Sequence, residues 1–219
     1  EVSFTTSNSE TINDYDANTY NTVKIGSQNW MAENLKTTHY NDGSEIPQIT
    51  NSADWAELVL PGYCWFVNEK DSYGDAYGAL YNWYVVDPAS NDGKNVCPIG
   101  WHVPADGDWI KLLDYLGGED VAGGKLKETG TVHWCDPNIG ATNESGFGAR
   151  AGGFRDLDGT YYSNAIYGSW WSSTDNTVVD PAAWTIFLSC GMNSVSRESQ
   201  DKSRGLSIRC IKKTVNTIA

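Results

Sequence analysis

Gly100-Trp101-His102-Val103-Pro104 is the stretch that says most about the fold of this chain. Two later stretches have the same makeup, Trp170-Trp171-Ser172-Ser173-Thr174 and Gly205-Leu206-Ser207-Ile208-Arg209-Cys210. Each sets large aromatic or apolar residues beside turn formers and a few polar residues, and none has the composition of a catalytic motif. Such a mixture is typical of an irregular fold whose loops are pinned by buried indoles. It favours a displayed binding surface over catalysis.

The composition indicates a globular chain with a large aromatic core. The chain has 219 residues, with 10 Trp, 12 Tyr and 22 Gly, and its net charge is −13. Because phosphates call for clustered Lys and Arg, this charge argues against nucleic acid and against an anionic membrane surface. No apolar run reaches the ~20 residues of a membrane span, so we expect no membrane insertion. The start, Glu1-Val2-Ser3-Phe4, lacks the pattern of a signal peptide.

The domain organisation is predicted to be simple. Residues 1–12 are polar and rich in Ser and Thr, and we interpret them as an N-terminal arm. Residues 13–213 form a single predicted domain, and residues 214–219 form a C-terminal tail. Five cysteines and three histidines are present, and no C-x-x-C pair occurs. This pattern argues against a structural zinc site, whereas one or two disulfides would suit a secreted protein.

A hairpin and a short helix are predicted in the first part of the chain. From Thr19 to Met31 the pattern is two strands around Gly26-Ser27. Ser52 is a candidate N-cap for a short helix that runs to Leu58, and Pro61-Gly62 would end it.

Two main helices are predicted from apolar residues at i, i+3, i+4 and i+7. The first set is Tyr77, Leu80, Tyr81 and Tyr84, and the second is Trp109, Leu112, Leu113 and Leu116. Asp106 is the candidate N-cap of the second helix, and Gly117-Gly118 should stop it. The helical period then fades, so we interpret residues 119–169 as loops with short strands.

The last part of the chain is predicted to be β-structure. Trp184, Ile186 and Leu188 alternate with Thr185, Phe187 and Ser189, which indicates a strand with one core face. Leu206, Ile208 and Cys210 alternate in the same way. Strands, then helices, then loops and strands indicate an α+β fold.

No residue belongs to a complete catalytic or metal motif. His102 has two apolar neighbours, and we interpret it as a ring that bonds to the backbone rather than as a general base. Asp156-Leu157-Asp158-Gly159 begins like a calcium loop, but the strand-like Thr160-Tyr161-Tyr162 follows, so a turn is predicted. Phosphate-loop and G-x-S-x-G patterns are absent. The exposure of four indoles stays open: Trp55, Trp65, Trp134 and Trp171.

Several short blocks occur in an order that is typical of one protein family. They are Thr22-Val23-Lys24-Ile25-Gly26, Trp30-Met31-Ala32-Glu33-Asn34-Leu35, Tyr77-Gly78-Ala79-Leu80-Tyr81-Asn82-Trp83, Gly100-Trp101-His102-Val103-Pro104, Gly124-Lys125-Leu126-Lys127, Asn143-Glu144-Ser145-Gly146-Phe147, Gly152-Gly153-Phe154-Arg155, Trp170-Trp171-Ser172-Ser173-Thr174 and Ile208-Arg209-Cys210. On these blocks the chain resembles the Fibrobacter succinogenes major paralogous domain of secreted and surface-attached bacterial proteins.

The resemblance implies a C-type-lectin-like fold with two main helices, short antiparallel sheets and extensive loops. Formylglycine-generating enzymes and the target proteins of diversity-generating retroelements have related folds. By the same analogy a disulfide between Cys97 and Cys210 is implied, while the other three cysteines stay unassigned. Lectin-type calcium recognition uses Glu-Pro-Asn or Gln-Pro-Asp with Trp-Asn-Asp, and neither occurs here. We therefore expect no cofactor, and calcium stays open without a full motif.

Ligand contacts in folds of this kind often come from the late strands and their loops. If Trp184, Ile186 and Leu188 point inward, their neighbours point outward, and an outward Phe is unusual unless it belongs to a contact patch. The loops on either side add a Met, an Arg and several small polar residues, which suit an adaptable interface. The predicted ligand-binding residues are Asp175, Asn176, Thr185, Phe187, Ser189, Met192, Asn193 and Arg197.

Three functions follow as hypotheses. The first is a secreted or cell-surface recognition or adhesion module that binds a glycan or a protein without catalysis. In one version a retroelement diversifies residues 172–204, which would make the protein a hypervariable binder. The second is a structural module of a surface or fibre assembly. The third, which we favour least, is an oxidase of the formylglycine-generating type with a paired-cysteine copper site.

Overall fold

The computed structural model describes residues 10–179 and 181–214. The helices are α1 (Ser52–Ala56), α2 (Asp75–Tyr77), α3 (Asp106–Tyr115) and α4 (Glu119–Leu126). The strands are β1 (Thr11–Asn13), β2 (Thr19–Ile25), β3 (Gln28–Met31), β4 (Tyr63–Cys64), β5 (Leu80–Tyr81), β6 (Trp101–His102), β7 (Phe154–Arg155), β8 (Tyr161–Tyr162), β9 (Tyr167–Asn176), β10 (Ala182–Ser189), β11 (Ser196–Asp201) and β12 (Ile211–Lys212). The fold is therefore α+β, the class that the sequence predicts. Within the described ranges no helix is both long and apolar enough to span a bilayer.

A five-stranded antiparallel sheet brings the two ends of the described chain together, in the order β1-β2-β3-β12-β6. The hairpin predicted around Gly26-Ser27 is confirmed as β2 and β3. Strand β12 comes from the C-terminal part and lies between β3 and β6. Thr11 and Ile12, which the sequence analysis assigns to the arm, pair with β2 in strand β1. Residues 1–9 of the arm and 215–219 of the tail lie outside the described residues.

Two disulfides cross-link the chain. Cys97 is bonded to Cys210, the pairing that the resemblance implies, across 113 residues of sequence. Cys135 is bonded to Cys190 across 55 residues, a pairing that the sequence leaves open. Cys64 is a buried free thiol. Closing such long loops stabilises the fold by restricting the unfolded chain.

A second sheet, in the order β11-β10-β9, lies between two apolar cores. Trp170 and Trp171 are neighbours in β9, so their indoles point to opposite faces of the sheet. Both are buried, Trp171 in a core that contains Trp101 and Trp170 in a core that contains Trp109 of α3. The sheet is therefore central, and both of its faces support packed layers.

Buried indoles pin the loops, as the opening stretches of sequence predict. Trp83 Nε1 donates to the carbonyl of Ser172 at 2.8 Å, and Trp171 Nε1 donates to the carbonyl of Tyr81 at 2.7 Å. Each bond ties an element to a segment that is about 90 residues away in sequence. The four indoles whose exposure the sequence leaves open are all buried: Trp55, Trp65, Trp134 and Trp171.

Helix α3 confirms the predicted helix, but its cap differs from the prediction. The N-cap position is Ala105, whose N–H donates to the Asp108 carboxylate at 3.0 Å. The N–H of Asp106 donates to Thr174 Oγ1 of β9 at 3.0 Å. Asp106 as N-cap is therefore wrong, because a neighbouring strand supplies a hydroxyl at this end. Gly117-Gly118, with φ of +101° and +95°, end the helix as predicted.

Helix α4 lies in a region that the sequence analysis interprets as loop. Gly123 and Gly124 interrupt its apolar period, because another segment packs where their side chains would be. A Cβ at Gly124 would lie 2.0 Å from Asn193 Oδ1 and 2.2 Å from the carbonyl oxygen of Gly140. The turn between β10 and β11 thus packs directly on the glycine face of α4, and this contact stabilises the helix.

The other predicted main helix is wrong, since α2, β5 and a 3-10 turn occupy that stretch. Gly78 ends α2 with φ of +76°, and a Cβ there would lie 2.6 Å from the carbonyl oxygen of Leu35. The residues spaced like one face of a helix are instead buried by a stretch that is largely not helical. Three of the four are buried: Tyr77, Leu80 and Tyr81. The shorter α1 is present, but Asn51 rather than Ser52 is its N-cap, and it ends at Ala56 rather than Leu58.

The last predicted strand, over Leu206, Ile208 and Cys210, is wrong: this stretch has only isolated bridges at its start, and β12 begins after it at Ile211. Its alternating residues do not define one core face either. Ser207 and Arg209 are as deeply buried as the apolar residues that alternate with them. The Arg209 guanidinium lies 4.2 Å from the Phe147 ring centroid and donates to Asn34 Oδ1 at 2.6 Å. Burial lowers the pKa of Arg209 to about 9. A cation thus fills a position that the alternation predicts to face solvent.

Candidate ligand-binding surface

Strand β10 does not follow the predicted alternation of inward and outward residues. A bulge lies between Ala183 and Thr185 in its pairing with β9. Thr185 and Ser189 are buried, although the sequence analysis expects them outside, because a core covers that face as well. Trp184, expected inside, is half-buried. Thr185 and Ser189 therefore cannot contact a ligand through their side chains.

Phe187 is the predicted site residue that reaches the surface of this sheet. It is half-buried, and its ring packs against Tyr167 with centroids 4.9 Å apart and planes tilted by 49°. Ser169 of β9 and Ser196 of β11 lie directly opposite Phe187 in the pairing registers. The aromatic pair is thus flanked by small side chains that leave its rings accessible.

Polar side chains continue the same face along β11. Ser196, Glu198 and Gln200 occupy every second position of β11, and Ser196 is directly opposite Phe187. All three therefore lie on the face of the sheet that carries Phe187. The Arg204 guanidinium donates to Asp156 Oδ1 at 2.9 Å and also to Gln200 Oε1. We call the surface formed by Tyr167, Phe187, Ser196, Glu198, Gln200 and Arg204 the β9–β11 face.

A second aromatic pair borders the β9–β11 face. The rings of Phe154 and Tyr162, in the β7–β8 hairpin, lie 5.6 Å apart, and Arg204 lies 5.4 Å from the Phe154 centroid. The N–H of Gly153 donates to the carbonyl of Tyr167, which fixes the hairpin beside β9. Both aromatic pairs are therefore held on rigid backbone.

Met192 and Asn193 lie beyond the end of β10, in the turn to β11. The Met192 carbonyl accepts from the buried Lys127 Nζ at 2.7 Å, and the Asn193 carbonyl accepts from the N–H of Gly124 at 3.0 Å. The Asn193 side chain packs against α4. Asn193 is thus a packing residue, whereas the Met192 side chain is exposed.

Asp175 and Asn176 lie at the other end of the sheet. Asp175 is opposite Ala183, four residues before Phe187 in β10, which places it about 13 Å away at ~3.3 Å per residue. Its carboxylate binds Lys202 Nζ at 2.9 Å. Asn176 is buried and accepts from the N–H of Val178. The structure does not bring this pair to the aromatic rings.

Arg197 lies on the opposite face of the sheet from Phe187. Its guanidinium donates to both carboxylate oxygens of Asp106, at 2.5 and 3.0 Å, and lies 4.3 Å from the centroid of the Trp184 ring. The hydrogen bond to Asp106 raises the pKa of Arg197. Arg197 therefore fastens β11 to the start of α3.

The eight predicted residues thus fall into separate groups, and of these eight only Phe187 belongs to the β9–β11 face. Sequence reasoning missed Tyr167, which packs against Phe187, and it also missed Gln200 and Arg204, which bond to each other farther along the β9–β11 face. Residues 196–201 do alternate in the manner of a strand, and that pattern points to Ser196, Glu198 and Gln200 as one face. The pairing registers that place Tyr167 beside Phe187 have no local signal in the sequence.

Each histidine is paired with a carboxylate. His39 Nδ1 lies 2.5 Å from Asp16, His133 Nδ1 lies 2.5 Å from Glu128, and His102 Nε2 lies 3.6 Å from Asp108. His102 lines an open cleft of about 250 Å³, so the backbone-bonded ring that the sequence predicts is wrong: its Nδ1 has no partner among the described residues. No set of three His, Cys, Asp or Glu in the described ranges could hold a metal ion.

The calcium-like stretch is a turn, as predicted. It joins β7 and β8, with Gly159 at φ of +78°. Asp156 accepts from Arg204 and from the N–H of Leu157, and Asp158 accepts from the N–H of Thr160. The two carboxylates thus have partners within the protein.

The structure defines a class of protein: an α+β domain with two disulfides, in which a central sheet between two cores presents a half-exposed aromatic pair. The chain belongs to the Fibrobacter succinogenes major domain family, whose model matches residues 23–212. No curated protein and no solved structure matches the chain.

Proposed function

We propose that this domain is a recognition module that binds a glycan or a protein ligand through the β9–β11 face, without catalysis. The observation that carries the proposal is the half-exposed pair of Tyr167 and Phe187, two large aromatic rings in contact on the central sheet. Aromatic side chains on rigid backbone give large contact area at a small entropic cost, which makes them favoured anchors of binding surfaces.

The polar frame of this face suits recognition. Glu198 is exposed, and Arg204 is held by Asp156 and Gln200, so charged and amide groups continue the same face away from the rings. An apolar centre with a polar rim is the usual anatomy of a protein interface, and it also suits a sugar ring on an aromatic side chain.

We further propose a C-type-lectin-like fold and a place outside the cytoplasm, secreted or on the cell surface. The family resemblance supports the fold, as does the return of β12 to the sheet that holds β1 and β2. The two disulfides support the location, because disulfides persist in oxidising compartments.

The alternatives make different demands of the same residues. A paired-cysteine copper site needs two thiolates, whereas all the cysteines except Cys64 are in disulfides. Diversification across residues 172–204 would meet buried positions such as Thr185 and Ile186, so tolerated variation should concentrate on exposed positions such as Glu198. A structural module would use the β9–β11 face against an assembly partner rather than a free ligand.

A binding screen with matched variants tests the proposal. The purified chain is applied to glycan arrays and to arrays of bacterial surface proteins, each with calcium and with chelator. Phe187→Ala and Tyr167→Ala should each weaken a hit by about 30-fold, or ~2 kcal/mol, as expected for an anchor residue. Arg197→Ala is the control, since it changes the opposite face of the same sheet.

The outcomes separate the hypotheses. A hit that is lost with Arg197→Ala and kept with Phe187→Ala would place binding elsewhere and refute the proposed surface. No hit from folded protein in either condition would favour the structural module. A hit lost only in chelator would show that calcium takes part.

A further inference from the structure

A cleft of about 320 Å³, with no residue of the β9–β11 face in its lining, opens between the N-terminal strands and the loop before β6. We call it the N-terminal cleft, and its principal lining residues are Ile12, Asn13, Tyr15, Asn41, Ile99 and Trp101. Its volume is at the lower end of the ~300–1,000 Å³ that is usual for small-molecule sites. A mono- or disaccharide would fit this space.

The apolar part of the cleft is unusually exposed. Ile99 is 85% exposed and Tyr15 is 58% exposed, while the indole of Trp101 is buried at the cleft lining. The Tyr15 ring backs onto Gly43, where a Cβ would lie 2.7 Å from the ring. The ring is therefore positioned in advance, and much of it remains open to a ligand.

Three polar groups of the cleft are uncharged and have no hydrogen-bond partner among the described residues. In the described part of the chain, the side-chain amides of Asn13 and Asn41 and the indole N–H of Trp101 take part in no hydrogen bond. Amides and indole N–H groups can meet hydroxyl groups, which both donate and accept. Leaving such groups unpaired around an aromatic ring is typical of a site for a polyhydroxylated ligand.

Asp14, the one charged residue in the described lining of the cleft, is held by the protein itself. Its carboxylate accepts from Tyr20 Oη at 2.6 Å and from the backbone and side chain of Asn18 at 3.0 and 2.9 Å. Among the described residues that line the cleft there is no Lys or Arg to offset this charge. The electrostatics therefore disfavour an anionic ligand.

We propose that the N-terminal cleft binds an uncharged saccharide, with a sugar face on Tyr15 and hydroxyl groups bonded to Asn13, Asn41 and Trp101. This site is separate from the β9–β11 face, and it stands or falls independently of the function proposed for that face.

Calorimetry and NMR on the full chain test this site. The probes are cellobiose, xylobiose, lactose and maltose, with sialyllactose as the charged counterpart. A bound neutral probe should shift the side-chain amide signals of Asn13 and Asn41 and the indole signal of Trp101. Tyr15→Ala and Asn41→Ala should each weaken binding at least about tenfold, or ~1.4 kcal/mol, whereas Tyr15→Phe should keep most of it.

Two controls keep the test specific. Tyr115→Ala removes a similarly exposed ring on α3, and Phe187→Ala removes the anchor of the other surface; both should leave saccharide binding unchanged. The proposal is overturned if no neutral probe binds, if sialyllactose binds more tightly than lactose, or if Tyr15→Ala binds as wild type does. Loss of binding with Phe187→Ala alone would assign the saccharide to the β9–β11 face instead.

Discussion

Replacing Lys127 by methionine tests the interaction that holds the turn between β10 and β11. The side chain is fully buried, and its Nζ donates to the carbonyls of Ile139, Ser189 and Met192 at 2.8, 3.0 and 2.7 Å. The ammonium also lies 5.6 Å from the centroid of the Trp134 ring. One cation thus joins the end of α4 to two separate loops.

The expected cost follows from these bonds. Lys127→Met keeps the apolar stem and removes three charge-assisted hydrogen bonds, each contributing about 1.5–3 kcal/mol. Part of that sum is offset, because the variant no longer has to bury a charge. We expect a net loss of about 3 kcal/mol in the free energy of unfolding. At ~2–4 °C per kcal/mol for a chain of this size, the Tm should fall by about 10 °C.

Thermal and urea unfolding followed by circular dichroism measure this loss. The matched control is Lys125→Met, because Lys125 lies in the last turn of α4, two residues before Lys127, and forms a partly exposed ion pair with Glu144 at 3.0 Å. Such pairs contribute only ~0.2–1 kcal/mol, so the control should lose no more than about 3 °C. Equal Tm values for the two variants would refute the reasoning.

The same residue predicts a pH dependence. Burial lowers the pKa of Lys127 to about 8, while the unfolded chain keeps a value near ~10.4. Between the folded and the unfolded pKa the unfolded state binds more protons, so the free energy of unfolding rises with pH. The stability gained in this way is fully present above the pKa of the unfolded chain, and it is lost as the pH falls through the pKa of the folded protein. The stability difference between wild type and Lys127→Met should therefore grow as the pH rises through this range. A difference that stays flat would contradict the lowered pKa.

Gly124→Ala should destabilise the fold by about 3 kcal/mol, since its Cβ would lie 2.0 Å from Asn193 Oδ1. Gly107→Ala is the matched control, because Gly107 is in α3 and a Cβ there would have no atom within 4 Å. It should stabilise the fold by about 0.5–1 kcal/mol. If urea unfolding showed that the two substitutions change the free energy of unfolding in the same direction, the packing argument would be contradicted. Burial raises the pKa of the Cys64 thiol to about 11, so a thiol reagent should spare the native protein near neutral pH and react once the chain is denatured. Rapid reaction of the native protein would show that Cys64 is accessible.

The elements predicted well are those whose signals are local. The hairpin around Gly26-Ser27 and the helix around Trp109 each combine a residue period with a turn or stop signal inside a short window. The ordered blocks likewise sufficed for the family, because they are a property of the sequence alone. The false helix at Tyr77 shows the limit: a period of buried residues also arises where the chain is enclosed on several sides.

The candidate surface could be predicted only in part. Phe187 can be identified from the sequence because it is an aromatic residue at an outward position of an alternating strand. The prediction that Thr185 and Ser189 also point outward assumes a sheet with one face in solvent. The sheet has a core on both sides, so alternation no longer separates buried from exposed residues. Tyr167 joins Phe187 through strand register, and Arg204 joins Gln200 and Asp156 through loop packing, so both contacts depend on segments that are not neighbours in the sequence.

The sequence by itself determined the α+β class, the hairpin, helix α3 and the family, because short-range periods, turn residues and ordered motifs carry that information. Tertiary structure alone decided which faces are covered, which cysteine pairs with Cys135, and where Lys127, Arg197 and Arg209 place their charges. Those features depend on contacts between segments that are far apart in the chain. Their energies come from burial and from hydrogen bonds that exist only once the two cores have packed against the central sheet.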